Sequence, residues 1–542
     1  MALIGDLISG MHPVAAVVTL FLALIGIGLA IQFTSIRYPT NLPLVGEPPG
    51  KTHFSWRTRW RYMTDCKGLY LEAYENFSKR SKTVLVPGLG LRNETILPQS
   101  AMKWFLAQPE SSLNASQAIV EINQLGYSLG DDKYATDRWN GLVVRSKMNT
   151  VLERICGDMN EELRYALDTR LGSDENEWKE IDLLHTVRLV VAQAASRFTV
   201  GLPLCRDEQY LIDTIKMGNM LVMSSGLTGA TPVPWRSLVG FFTLRALKPQ
   251  IERIKTHIEA VYQKRLETLE QDPDHPWHTE PRDFFQMLMR FAQSERSHEV
   301  HDFDSIARRL IVANFGTMYN TSFQATQLIL NILGSDAEFN TISVLRDEFS
   351  SVLGSKDDGD DDPTWSKTKV ASLTKADSVA RESMRLDAFG NRFQYRKVMV
   401  DGLVTEDGIA LPKGALLSML GHPAHRDLEY FPDEPAKYDP FRFSRAREAT
   451  ADADGKPGLP NLAFVGTGPQ HLSWGHGKHA CPGRFLVDFE LKMMMAYLLQ
   501  KYDVEFPPEY EGKRPTNYWM GEAAFPPTGA KIRVKRRPGT TK

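Results

Sequence analysis

The sequence predicts a mainly α-helical protein with a smaller β portion, built as one large domain behind an N-terminal membrane-spanning helix. Three observations carry this. The chain opens on a long apolar stretch without charge. Helical patterning dominates from about residue 115 to about 350, and is strongest from Asp304 to Leu333. Only short strand-like runs interrupt the remainder, punctuated by Gly and Pro.

No Asp, Glu, Lys or Arg occurs from Leu7 to Ile36, and Val14 to Ile31 is apolar apart from Thr19 and two glycines. As a helix that run spans roughly 27 Å, close to the thickness of a bilayer's hydrocarbon core. A cleaved signal peptide is the alternative, but no basic segment precedes the apolar run. Arg37, Lys51, Arg57, Arg59 and Arg61 follow the span, whereas residues 1–36 hold no Lys or Arg. The positive-inside tendency then places everything after residue 36 in the cytoplasm. The sequons at Asn76, Asn93 and Asn114 are chance matches on this reading. Residues 37–50, rich in Pro and Gly, read as a semi-rigid hinge, and residues 51–542 as the domain it holds.

Within that domain, Val84–Pro87 and Thr95–Leu97 around a Gly-rich turn suggest a small hairpin. The Asp304–Leu333 segment, roughly 45 Å long if helical throughout, has the length and apolarity of a helix that crosses the middle of a domain. Gly354–Lys369 reads as a charged, solvated loop. A helix around Lys375–Leu386 follows, then short strands, then a last helix over about Gly483–Leu499.

Composition bounds the function. Lys plus Arg number 64 against 66 Asp plus Glu, a net charge of −2 that gives no support for nucleic-acid binding. The four cysteines, Cys66, Cys156, Cys205 and Cys481, form no CxxC pair and suit a reducing compartment.

The segment Trp474-Gly-His-Gly-Lys-His-Ala-Cys481-Pro-Gly-Arg-Phe485 concentrates the chemistry. Its glycines permit a tight loop, and Cys481 stands just before a helix with Pro482 at a first-turn position. Free N–H groups at a helix start favour a thiolate, and a thiolate on a rigid loop suits an axial haem ligand. The alternatives are an inert buried Cys, or a zinc site using His471, His476, His479 and Cys481, although zinc ligands are usually gathered from separated pairs.

This loop resembles the haem-binding loop of the cytochrome P450 family, with Trp474 where Phe is more usual. Glu382-Ser-Met-Arg385 matches that family's Glu-x-x-Arg helix motif, and Tyr438-Asp-Pro-Phe-Arg442-Phe matches the segment whose Arg completes a triad with it. The likeness extends over essentially the whole chain and is nearest to fungal microsomal members that resemble ent-kaurene oxidase. It implies the cytochrome P450 fold in a single catalytic domain, with haem b (iron protoporphyrin IX) on Cys481. It further implies a structural triad of Glu382, Arg385 and Arg442 supporting the Cys loop. Haem contacts are implied from Trp474, His479 and Arg396, and from Trp139 and Arg145 on the helix that resembles the family's C helix; Arg is well suited to the propionates.

The resemblance implies a monooxygenase in the endoplasmic reticulum membrane, single-pass and facing the cytoplasm. Its substrate would be an apolar small molecule of secondary metabolism: a terpenoid, an alkaloid or a polyketide hybrid. No flavin or nicotinamide domain is present, so electrons would come from NADPH-cytochrome P450 reductase, with Lys478 and Arg484 as docking contacts. Substrate contacts are expected around Leu113–Leu129, from Asn314 and Thr317, and from Ala388–Phe393 and Gly521–Phe525.

One departure stands out. Where the family's long helix carries an acid–alcohol pair that relays protons, this chain has Tyr319 and Asn320, followed by Thr321. Asn holds water but relays protons poorly, and Thr321 could substitute if the helix is locally distorted. The departure raises a second outcome: desaturation, ring formation or rearrangement without net hydroxylation. A non-enzymatic haem protein is the third.

Overall fold

The computed structural model of the chain describes residues 35–271, 280–354, 365–450 and 462–540, with isolated positions before residue 35. The expected anchor, Val14–Ile31, lies outside the described residues apart from those positions. Among described residues, no helix is long and apolar enough to cross a membrane.

The helices that place the site are α1 (Trp56–Thr64), α2 (Ala115–Asn123), α3 (Trp139–Leu171), α4 (Leu183–Thr199), α5 (Glu208–Ala230), α6 (Val233–Gln271), α7 (Phe303–Asn314), α8 (Asn320–Phe339), α9 (Thr374–Asp387) and α10 (Arg484–Lys501). Several start where the sequence supplies an acceptor for the free N–H groups of a first turn. Asn114 accepts from Gln117 N at 2.8 Å, Asp182 from His185 N at 2.9 Å and Asp302 from Ser305 N at 3.1 Å.

Strands β1 (Val84–Pro87) and β2 (Asn93–Ile96) form the expected hairpin. With β3 (Leu113–Asn114), β5 (Arg392–Val398) and β8 (Leu416–Leu420) they make a five-stranded sheet ordered β1-β2-β8-β5-β3. A second sheet orders β4 (Lys179–Asp182), β12 (Lys531–Arg536) and β9 (Tyr502–Glu505) as β4-β12-β9. Strands β6 (Leu403–Val404) and β7 (Ala410–Leu411) pair, as do β10 (Tyr518–Met520) and β11 (Ala523–Phe525). In β5 the register shifts between Phe393 and Arg396, with Gln394 at φ 62°. A bulge of this kind re-aims the side chains around it.

The main core is built from α3, α4, α7, α8, α9 and α10, and a second core lies under the five-stranded sheet. Part of the Pro-rich stretch packs on the domain. Leu42, Leu44 and Val45 are buried in the second core, and Val45 N donates to Leu85 O at 3.1 Å. Its alternating leucines and valine have an apolar face to bury, which a spacer does not. The end of the expected charged loop also differs, because Lys367–Ser372 forms a short helix capped by Ser366.

The long central helix runs from Phe303 to Phe339 and is interrupted by a π turn over Phe315–Tyr319. Gly316 lowers helix propensity there, and Thr317 Oγ1 donates back to Ala313 O at 3.0 Å and Asn314 O at 3.3 Å. A side chain that competes for those carbonyls loosens the regular ladder where the extra residue is accommodated.

Candidate active site

The Cys481 loop is closed by short backbone bonds. Cys481 N donates to Trp474 O at 2.7 Å and Gly475 N to Leu472 O at 2.7 Å. Gly475 and Gly477 both sit at φ +71°, and a Cβ on Gly477 would meet Leu106 Cδ2 at 3.0 Å, so the turn requires glycine there. Trp474 Nε1 donates to Phe464 O at 2.8 Å and its ring meets Phe464 edge-on, which fixes one shoulder of the loop. Arg484, the first residue of α10, donates to Cys481 O at 2.8 Å and Val465 O at 3.2 Å. Burial pushes the Cys481 thiol up, opposed by the N–H groups of Gly483 and Arg484 and by the Arg484 and Arg138 charges. The helix-start donors expected from the sequence are therefore at the sulfur, and burial acts against them.

Behind the loop, Glu382 on α9 receives Arg385 Nε at 2.7 Å and Nη2 at 2.6 Å, and Arg442 Nε at 3.2 Å. Glu382 and Arg385 are wholly buried. Arg385 also donates to the carbonyls of His425 and Pro435. His425 accepts from Leu472 N at 3.1 Å, and Ser473 Oγ donates to Met384 O at 3.4 Å. The three charged side chains thus come together and connect to the Cys loop through two short hydrogen-bonded paths.

On the other side of the loop stands a group of cations. Arg145 Nη2 donates to Lys478 O at 2.6 Å, and Arg145, Lys478 and Arg484 line a recess of about 290 Å³ with Gly477, Pro482 and Phe485. His479 Nε2 lies 2.6 Å from Glu110 Oε1. Arg396 stands over the Phe105 ring, and burial lowers it to about 10. Arg138, the residue before α3, also has its charge disfavoured by burial and by Arg145, with Cys481 and Glu110 acting in the opposite sense.

Sequence and fold meet known proteins at this point. The family model described as Cytochrome P450 matches residues 37–534. The chain belongs to the cytochrome P450 family. Similar proteins include the cytochrome P450 monooxygenases pbrC of Penicillium brasilianum, 53% identical over 95% of this chain and 96% of that protein, and astC of Aspergillus terreus, 52% identical over 95% and 96%. The cytochrome P450 monooxygenase tenB of Beauveria bassiana is 44% identical over 92% of each chain.

Membership makes this P450 a haem-iron monooxygenase by family, and the donor set fits that group: one thiol on a rigid loop, with several cations near it for two carboxylates. The long helix adds an open face. A Cβ on Gly316 would meet nothing within 4 Å, and Asn320, one turn on, is exposed although Thr321, Ser322 and Phe323 beside it are buried. Small side chains on one face of a central helix leave room for a flat ligand.

The expected site residues divide in this P450. Cys481, Trp474, His479, Arg396 and Arg145 gather around the loop, and Asn320 faces open space. Trp139 does not join them. It is 1% exposed, stacked on Phe291 at 5.3 Å, covered by Arg309 and bonded through Nε1 to Glu299 at 3.3 Å. Thr321, 3% exposed, lies on the packed side of α8, so the π turn does not bring it forward as a substitute alcohol. Tyr319 packs into an aromatic column with Phe315 and Phe323, under the Arg188 guanidinium. Arg138 was missed by sequence reasoning. It precedes Arg145 by seven residues, two helical turns, which puts both on one face and Trp139 on another. That spacing was the available signal.

Proposed function

We propose that this P450 is a membrane-tethered monooxygenase that holds haem b through Cys481 and oxidises an apolar small molecule of fungal secondary metabolism. The observation that supports this most is the closed Cys481 loop, braced from behind by the buried Glu382–Arg385–Arg442 cluster. Haem iron bound to a thiolate supplies the activation of dioxygen and the insertion of one oxygen atom into a substrate C–H bond. The chain's own residues do the rest. Gly483 and Arg484 direct their N–H groups at the Cys481 sulfur and favour its thiolate form. Arg138, Arg145, Arg396 and His479 hold the propionates. Gly316 keeps the central helix clear of the ring. Asn320, facing that space, holds water by its amide but relays protons less readily than a hydroxyl–carboxylate pair.

Apolar walls support an apolar substrate. Phe323, Phe389 and Phe525 pack with centroids 5.2–5.7 Å apart, with Tyr319 and Tyr518 extending the cluster. Such aromatic faces exclude water from whatever they enclose. Electrons come from NADPH-cytochrome P450 reductase, which docks at the surface around Lys478; Arg484 is occupied by Cys481 O and Val465 O and serves the loop instead. The exposed Trp56 and Trp60 on α1 and Leu238, Phe241 and Phe242 on α6 support a domain resting on the endoplasmic reticulum membrane behind its N-terminal anchor.

Turnover with isotopically labelled dioxygen and a reductase tests the reaction. Label in the product supports hydroxylation. Asn320 on the open face, with Tyr319 turned into the aromatic column, favours the second reading: desaturation, ring formation or rearrangement. An oxidised product without label supports that outcome.

A further inference from the structure

The π turn of the central helix has a second side, facing α5. Two small recesses of about 10 Å³ and 20 Å³ lie there, and both are lined by Thr214, Gly218, Asn314 and Phe315. Glycine makes the space: a Cβ at Gly218 would approach Tyr319 Cδ2 to 3.2 Å. Asn314 is 2% exposed. Its Nδ2 donates to Tyr210 Oη at 2.9 Å, and its Oδ1 has no partner among the described residues. Turning the amide over leaves its other end unmatched instead. Thr214, 7% exposed, turns its buried Oγ1 toward the Tyr210 hydroxyl but has no partner within full hydrogen-bond distance among the described residues. The larger recess is also bordered by Arg188 and Tyr319.

Buried polar atoms without partners are unfavourable, and the common remedy is an internal water. A site needs roughly 10–15 Å³ of such volume and two or more polar neighbours to hold one water. Each recess meets the volume requirement for one, and both present the Asn314 amide and Thr214 hydroxyl. We propose that these recesses form an ordered-water site, bound by Asn314 and Thr214, that joins α5 to the π turn on the side away from Asn320. The water completes the hydrogen bonding of a helix segment whose regular ladder is broken, and so holds the π turn in its observed position.

Thr214→Val tests this in the full-length, haem-loaded protein, because it keeps the side chain's shape and removes only the hydroxyl. If water is bound, the variant loses that bond and its Tm falls, by about 1 °C. If the recess is dry, the variant relieves an orphaned hydroxyl and its Tm stays level or rises. A high-resolution crystal structure of the wild-type protein gives the second readout, with water density within hydrogen-bond distance of Asn314 Oδ1 and Thr214 Oγ1 expected. Empty recesses, or an unchanged or raised Tm in Thr214→Val, overturn the proposal. Should that variant fail to load haem, the density decides alone. Neither readout involves turnover, so the result stands apart from the reaction proposed above.

Discussion

Replacing Glu382 with Gln is expected to cost the protein its haem and much of its stability. The carboxylate accepts from Arg385 Nε and Nη2, from Arg442 Nε and from Asp439 N, and neither Glu382 nor Arg385 is exposed. Glutamine keeps one acceptor and turns an amide donor toward guanidinium donors, leaving the buried Arg385 and the half-buried Arg442 without their counter-charge. Breaking a buried pair in this way costs about 3–5 kcal/mol, against about 0–1 kcal/mol for an exposed pair. Whole proteins are stable by only about 5–15 kcal/mol, so about a fifth or more of the margin is at stake. The loss falls on the Cys loop first, because the cluster reaches it through His425 to Leu472 and Met384 to Ser473. Thermal unfolding and the ratio of haem to protein after purification measure both effects. A drop on the order of 3–4 °C with sub-stoichiometric haem is expected. Full haem content with a Tm within 2 °C of wild type would refute the reasoning, since it would give this cluster the weight of a surface ion pair.

Other predictions follow from single side chains. Arg138→Leu should speed haem transfer to a scavenger protein several-fold, whereas Trp139→Phe should affect stability and leave that rate near wild type. Asn320→Thr should raise the product formed per NADPH consumed, and Thr321→Val should leave it unchanged; equal effects would place Thr321 on the open face after all. Glu490 is buried without a charged partner among the described residues, and burial raises its carboxyl to about 8. A raised acid favours folding while it is protonated, so its contribution is full below about pH 4.5 and is lost as pH rises toward 8. Glu490→Gln should therefore stabilise the protein more at pH 8.5 than at pH 5.5, by up to a few kcal/mol; a gain independent of pH would contradict this.

Much of this was legible because it is local. The Trp474–Phe485 loop announces its turns by glycine and its chemistry by Cys481, and Glu382 and Arg385 are three residues apart on one helix. Arg442 needed the resemblance, since nothing local joins residue 442 to residue 382. The failures share a cause: sequence spacing tells which residues share a face but not which face meets the site. Trp139 looked like a haem contact and is core, while Arg138 beside it was overlooked. The π turn was not visible as a pattern, and it depends on Thr317 reaching back to carbonyls a turn earlier. In the Pro-rich stretch the prolines and glycines were legible, whereas the docking of Leu42, Leu44 and Val45 beside the sheet depends on distant residues.

The most direct test of the central claim is the absorption spectrum of the reduced, carbon-monoxide-treated protein, wild type beside Cys481→Ser. A strongly red-shifted Soret band in wild type that disappears in the variant is the predicted result. A folded, haem-supplemented wild type without that band, or a variant that keeps it, would contradict the assignment of Cys481 as the ligand of haem iron.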